Sequence, residues 1–223
     1  MALRAVFVDA AGTLLRTREP VGITYARAAR GAGHEVDPVI AQARFRTALL
    51  ARRGQAQVGD GRAFWRPVVA ESVGIDDEAL FEELYAAFAR PQAWWIDSEA
   101  LRVLGVLSRQ GVRLGIISNW DERLRLLYHR FALDRLFPYL FVSAELEVEK
   151  PDAAIFHEAC RVVGVAPRDA VHVGDDEEAD VAGASRAGLL GLHYDDDRGW
   201  RYIEGEISRL RRGAGLYGGL YRR

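Results

Sequence analysis

The chain has 223 residues, of which 49% are hydrophobic and 28% charged, with a formal net charge of −2. That length holds one large domain, or a core domain carrying a smaller insert. Near-neutral charge leaves no footprint for a nucleic-acid or membrane-surface partner, the single cysteine (Cys160) excludes an intrachain disulfide, and no apolar stretch is long enough to span a membrane.

The short apolar opening is too brief for the core of a secretory signal, so the expected compartment is the cytoplasm. Residues 3–8 form an apolar run that stops at Asp9 and then Gly12, as a buried strand of a parallel sheet does. Residues 17–90 break with that pattern. They read as four helices, over 21–30, 38–53, 62–73 and 76–89, punctuated by Gly31, Gly33, Gly54, Gly59, Gly61 and Gly74. Their aromatics, Phe45, Phe64, Trp65, Phe81, Tyr85 and Phe88, are expected to form the inner face of a bundle.

After the insert, helical patterns over 98–110, 121–131, 151–163 and 180–187 alternate with short apolar runs. The runs cover 112–117, 139–142, 170–173 and 189–194. Strands alternating with helices predict an α/β fold with a doubly wound, mainly parallel sheet. The predicted organisation is an α/β core over residues 1–16 and 91–223, interrupted by an all-helical cap over 17–90. The Gly/Tyr/Arg-rich stretch 213–223 is expected to be poorly ordered.

Four polar clusters fall at or near strand ends, where ligands of open α/β sheets gather. Asp9 is followed by Ala10, Ala11, Gly12 and Thr13, a carboxylate, a tight turn and a hydroxyl. Ser118-Asn119 offers short neutral donors. Lys150 is the one lysine among 30 basic residues, a compact ammonium in a chain that otherwise uses arginine. Gly174-Asp175-Asp176 with Asp180 supplies enough acidity for a hard cation such as Mg²⁺. Each cluster alone has a structural explanation that comes first: a turn, a helix cap, or a solvated first helical turn. The four in this order, each placed after an apolar strand, point to a phosphoryl-transfer site.

The motifs VFVDAAGTLL, IISNW, EKPDAAIF and VHVGDDEEADVAGASRAG resemble those of the haloacid dehalogenase superfamily, whose members are mostly Mg²⁺-dependent phosphohydrolases. The opening DAAGTLLRTREPVGITYA also resembles the superfamily's domain-containing protein 3 group. The resemblance implies a Rossmann-like core and a helical cap that closes over the site. By motif, Asp9 would attack phosphorus and form an aspartyl-phosphate. Thr13 and Ser118 would bind the transferring group, and Asn119 would shape the neighbouring pocket. Lys150 would neutralise the crowded negative charge. Asp9, the Ala11 main-chain carbonyl and Asp175 would hold Mg²⁺, and Asp180 would bind it directly or orient a ligand to it.

One position departs from the family. Phosphatases of this kind carry a second aspartate two residues after the nucleophile, to protonate the leaving group and activate water. Here that residue is Ala11. The resemblance leaves three readings: a phosphatase of small phosphorylated metabolites with impaired turnover, a non-catalytic module binding a phosphorylated ligand or a protein, and a metal-independent 2-haloacid dehalogenase. Asp9 to Thr13 matches the phosphonatase pattern, but that chemistry needs a cap lysine, and residues 17–90 have none. Dehalogenases carry serine and asparagine where this chain has Asp175-Asp176, so the acidic loop favours phosphoryl chemistry. His172 lies within a strand, where a structural role is expected. Trp94, Trp95 and Trp120 are expected to pack at a hinge.

Overall fold

The computed structural model describes residues 3–55 and 57–211. In chain order the elements are β1 (Ala5–Val8), β2 (Leu15–Thr17), α1 (Val21–Gly31), α2 (Pro38–Leu50), α3 (Arg62–Val73), α4 (Glu78–Phe88) and β3 (Trp94–Ile96). There follow α5 (Ser98–Arg109), β4 (Arg113–Ser118), α6 (Arg123–Arg130), β5 (Tyr139–Val142), α7 (Ser143–Leu146) and α8 (Ala153–Val163). The chain continues through β6 (Ala170–Gly174), a π-helical turn (Glu177–Ala182), α9 (Gly183–Arg186), β7 (Leu190–His193) and α10 (Gly199–Arg211). The stretch 213–223 lies outside the described residues.

The main sheet has the order β5-β4-β1-β6-β7, and all its pairings are parallel. β1 is central, and the chain winds outward first through β4 and β5, then back through β6 and β7. The carboxyl end of β1 is therefore the switch point, where the flanking loops part and leave a crevice. Strand alternation divides the core into two layers. Val6 and Val8 face one side and pack with α5, α6 and α10, while Ala5 and Phe7 face the other and pack with α8 and α9. The α/β class expected from the strand–helix alternation is the one observed.

Helices α1 to α4 build a separate apolar cluster from Tyr25, Ala29, Val69, Val73, Leu80, Phe81 and Leu84. The segment carrying them leaves the sheet through β2 and returns through β3, which pair antiparallel. This two-stranded stalk is absent from the sequence reading, since three-residue strands carry too little alternation to register.

Some helix starts also shift. α6 begins at Arg123 rather than residue 121, because Asp121 Oδ1 accepts the Arg123 N–H at 2.9 Å. α8 begins at Ala153, capped by Asp152, which accepts from the Ala154 N–H at 2.8 Å. α2 stops at Leu50, short of the expected residue 53. The helix expected over 180–187 is a π-turn followed by the single turn of α9. α10 was not read from sequence, although Trp200, Ile203, Ile207 and Leu210 recur at helical spacing on its buried face.

Trp200 is fully buried and closes the layer beneath β7. Trp200→Ala is expected to lower unfolding free energy by about 3–5 kcal/mol, as large cavities do, measured by urea denaturation. A loss below 1 kcal/mol would show that α10 contributes little to the core.

Candidate active site

Asp9 is the first residue past β1. Its N–H continues the ladder by donating to the Val173 carbonyl at 2.8 Å, which aims the side chain off the sheet end. The chain then turns sharply, with the Leu14 and Leu15 N–H groups both donating to the Ala10 carbonyl. Gly12 makes this turn possible at φ +85°, and a Cβ there would lie 2.5 Å from an Asp175 carboxylate oxygen. The β1 loop and the β6 loop are thus pressed together by the absence of one side chain. Thr13 spans the same contact, its Oγ1 donating to Asp175 Oδ1 at 3.0 Å.

Lys150 is 3% exposed and its Nζ donates to Asp9 Oδ1 at 2.6 Å, Asp180 Oδ1 at 2.5 Å and the Ile117 carbonyl at 3.1 Å. All three ammonium protons therefore have acceptors. Asn119 holds the Lys150 main chain from both sides, its Nδ2 donating to the Lys150 carbonyl at 2.7 Å and its Oδ1 accepting from the Lys150 N–H at 2.8 Å. The sequence placed Asn119 beside a pocket. It does line the cavity, but its hydrogen bonds position the lysine. Ser118 Oγ donates to Asp9 Oδ1 at 3.1 Å.

Asp180 is fully engaged. Oδ1 accepts from Lys150 and His172 (Nε2, 2.8 Å), and Oδ2 accepts from the Asp176 N–H at 3.0 Å. Of the two roles open to it from sequence, these bonds fit an orienting one. Gly174 allows the approach, since a Cβ there would sit 2.1 Å from the Asp180 carboxyl carbon. His172 packs edge-on against Phe156, and its Nδ1 has no partner among the described residues. Burial lowers its pKa, so the neutral ring donates through Nε2 to Asp180.

Asp9, Asp175 and Asp180 each place a carboxylate oxygen within 4.8 Å of the other two. Burial pushes the Asp9 carboxyl up to about 7, with Lys150 opposing and the Asp180 and Asp175 charges adding. Burial likewise raises Asp175; protein surrounds it closely although its carboxylate opens onto the cavity. For Asp180, burial is outweighed by Lys150 and His172, and its pKa falls. For Lys150, burial is outweighed by Asp180 and then Asp9, and its pKa rises. One ammonium faces three carboxylates, an excess of negative charge whose all-oxygen donor set fits a hard divalent cation.

Above these residues opens a cavity of about 1140 Å³, reached beside Ala11, Gly12, Asn119 and Asp175 and walled by α1 to α4. Trp94, Trp95 and Trp120 all line it, so the hinge-packing expectation covers only part of their surroundings.

From sequence Asp121 reads only as a helix start. It is fully buried and accepts from Trp65 Nε1 at 2.7 Å and from Arg123 Nε and Nη2 at 2.9 and 2.7 Å. Arg123 in turn lies 3.9 Å from the Tyr85 ring centroid and donates to the Tyr85 carbonyl. This carboxylate ties the helical bundle to the loop after β4. Arg53 does the same at the other rim, where it pairs with Asp176 in the loop after β6. A lone Asp two residues before an Arg carries no distinctive sequence signal.

A family model for haloacid dehalogenase-like hydrolases matches residues 3–188, from β1 through α9 and including every residue of this cluster. The chain belongs to the haloacid dehalogenase-like hydrolase family. Among haloacid dehalogenase-like relatives, it is similar to haloacid dehalogenase-like hydrolase domain-containing protein 3 of Xenopus laevis, 34% identical over 202 residues, or 85% of this chain and 83% of that protein. A glyceraldehyde 3-phosphate phosphatase of Methanopyrus kandleri is 37% identical over 98 residues, 41% of this chain and 40% of the relative. The crystal structure of a HAD phosphatase from Thermococcus onnurineus shares the fold, with TM-score 0.65 and 24% identity over 95% of this chain and 98% of that one.

Removing the ammonium strands two buried carboxylates. Lys150→Ala is expected to cost about 3–5 kcal/mol at pH 8. Without their cation, Asp9 and Asp180 take folded pKa values above the unfolded ones, so the folded state binds more protons and the loss shrinks as pH falls toward 5.5. Denaturant titrations of parent and variant at both pH values measure this. A loss that grows on acidification would contradict the assigned pairing.

Proposed function

We propose that this hydrolase cleaves phosphate monoesters in a Mg²⁺-dependent reaction through an aspartyl-phosphate on Asp9. The observation that carries the reading is the buried Lys150 ammonium shared by Asp9 and Asp180, with Asp175 at the same switch point. The phosphatase-named Methanopyrus relative supports the same chemistry. Lys150 and Ser118 both hydrogen-bond Asp9 Oδ1, which leaves Oδ2 to attack phosphorus. The P–O bond to the leaving group breaks, and its electron pair departs with the leaving oxygen. Water then attacks the phosphorylated Asp9 and releases phosphate. Asp9, the Ala11 carbonyl and Asp175 would hold Mg²⁺, with Asp180 orienting the loop and Lys150. Bound Mg²⁺ supplies the charge that draws in the phosphoryl oxygens and stabilises the transition state. Thr13 and Ser118 are the hydroxyls within reach of those oxygens once they turn from the carboxylates they now hold.

Ala11 limits this site. Its methyl is exposed to the cavity where the family's phosphatase pattern implies an aspartate, and it cannot move a proton. General acid–base catalysis contributes about 10²–10⁴-fold, or about 3–5 kcal/mol of barrier. The same feature favours a second reading, in which the chain binds a phosphorylated ligand and turns it over slowly or not at all. The substrate is a small phosphorylated molecule and the compartment the cytoplasm. No described helix is long and apolar enough to cross a membrane.

The test is hydrolysis of acetyl phosphate, an aryl phosphate and an alkyl phosphate, with and without Mg²⁺. Turnover is expected only with Mg²⁺, lost in Asp9→Asn, with Mg²⁺ binding by calorimetry weakened in Asp175→Ala. Halide release from a 2-haloacid without metal would instead establish dehalogenation.

Ala11→Asp separates the catalytic from the binding reading. A carboxyl at residue 11 lies among negative charges that raise its pKa toward useful range. Alkyl phosphate kcat/KM is expected to rise about 10-fold or more, and aryl phosphate less, because its leaving group needs little protonation. Unchanged rates with intact Mg²⁺ binding would favour the binding reading.

A further inference from the structure

We propose that the substrate is an aryl phosphate whose ring is held among the aromatic walls of the cavity; this rests on the phosphate-monoester reading above. Two independent features converge on it, one at each end of the ester.

At the reacting end, Ala11 supplies no proton to the departing oxygen. A phenol ionises near pH 10, as tyrosine does, whereas an alcohol resembles water, near 15.7. A phenolate departs with its electron pair unprotonated; an alkoxide does so far less readily. The protein keeps the parts that bind and attack phosphorus and lacks the part that only a poor leaving group requires.

At the other end, the cavity is larger and less polar than a triose-sized ester needs. Its volume of about 1140 Å³ exceeds the ~300–1,000 Å³ usual for small-molecule pockets. Trp120 follows Ser118-Asn119 directly and stands 5.0 Å from Trp94 between ring centroids, so the aromatic wall begins beside the phosphoryl end. Phe45, Trp65, Tyr85 and Phe88 continue it. A bundle core serving packing alone would bury these four rings. They are half-buried instead, and each keeps surface on the cavity. Of the arginines that line the cavity, Arg123 is committed to Asp121 through two hydrogen bonds from its guanidinium and lies on the Tyr85 face, Arg16 pairs with Asp196, and Arg18 and Arg46 stand at exposed positions. Around Trp65 and Tyr85, where Arg123 is already engaged, the cavity offers an aromatic surface, and aromatic rings pair with such walls edge-on or offset-stacked.

Binding of stable analogues tests this without requiring turnover. Benzylphosphonate mimics phenyl phosphate, ethylphosphonate mimics methyl phosphate, and cyclohexylmethylphosphonate matches the benzyl group in size without aromaticity. Calorimetry on the full chain with Mg²⁺ is expected to show benzylphosphonate binding about 30-fold or more tighter than ethylphosphonate. It should also bind about 3-fold or more tighter than the cyclohexyl analogue. The Phe45→Leu/Phe88→Leu double variant keeps apolar bulk, and is expected to lose the aryl preference while holding ethylphosphonate as the parent does. Equal binding of benzyl and ethyl analogues would overturn the proposal and leave the phosphatase reading standing. Equal binding of benzyl and cyclohexyl analogues would overturn it too, by reducing the cavity to a size filter. Failure of every phosphonate to bind would overturn both readings. The analogue series on the parent decides the matter even if the double variant does not fold.

Discussion

Placing one ammonium among three carboxylates at the end of a buried strand constrains everything around it. Lys150 Nζ reaches Asp9, Asp180 and the Ile117 carbonyl at once, and no proton is left over for another partner. Each neighbour is then fixed by a further contact: Asp180 by His172 and the Asp176 N–H, the lysine main chain by Asn119. Gly12 and Gly174 lack side chains where the loops close on one another. Arginine serves elsewhere, paired with carboxylates at the surface, as in Arg102–Glu204 and Arg125–Glu145. A planar guanidinium would need directional acceptors in its own plane, and the three acceptors here converge on a point instead.

The same arrangement explains why the site carries excess negative charge without falling apart. Asp180 is held ionised by Lys150 and His172, whereas Asp9 is pushed toward neutrality by burial. The two carboxylates have been given different duties by their surroundings: one is a structural anchor, the other, the proposed nucleophile, is an acceptor whose charge is costly until a cation arrives. Asp175 completes the acidic set from the cavity side, steadied by Thr13. A binding protein would need this charge balance as much as an enzyme, which is why the cluster alone does not separate the two readings.

The parts of the fold legible in sequence were those with long or repeated signals. All five strands of the main sheet and eight of the helices followed from apolar runs and helical periodicity, and the clusters at their ends converge as expected. What stayed hidden was short or non-local. β2 and β3 have three residues each and pair across the whole helical insert. The π-turn after Asp176 is a hydrogen-bonding detail that periodicity cannot distinguish from an α-helix. Asp121 matters because Trp65 and Arg123 meet it in space, and neither spacing nor residue type announces that meeting. α10 is the exception, since Trp200, Ile203, Ile207 and Leu210 were readable.

Ala11 shows how cleanly such a site divides. In the proposed reading, the metal-facing contribution of residue 11 would come from its main-chain carbonyl, in a turn that Gly12 and the Ala10 carbonyl define. The proton-transfer contribution comes from its side chain alone. Replacing a carboxyl by a methyl therefore removes one function and leaves the turn, Lys150 and the acidic loop intact. The methyl also presents an apolar surface to a cavity already rich in rings. A carboxylate there would have to be desolvated by any apolar ligand lying across it, at a cost of several kcal/mol. Losing the acid and gaining an apolar floor are consequences of the same side chain. For a ligand whose leaving oxygen needs no proton, the exchange removes a penalty on binding without adding one to the chemistry.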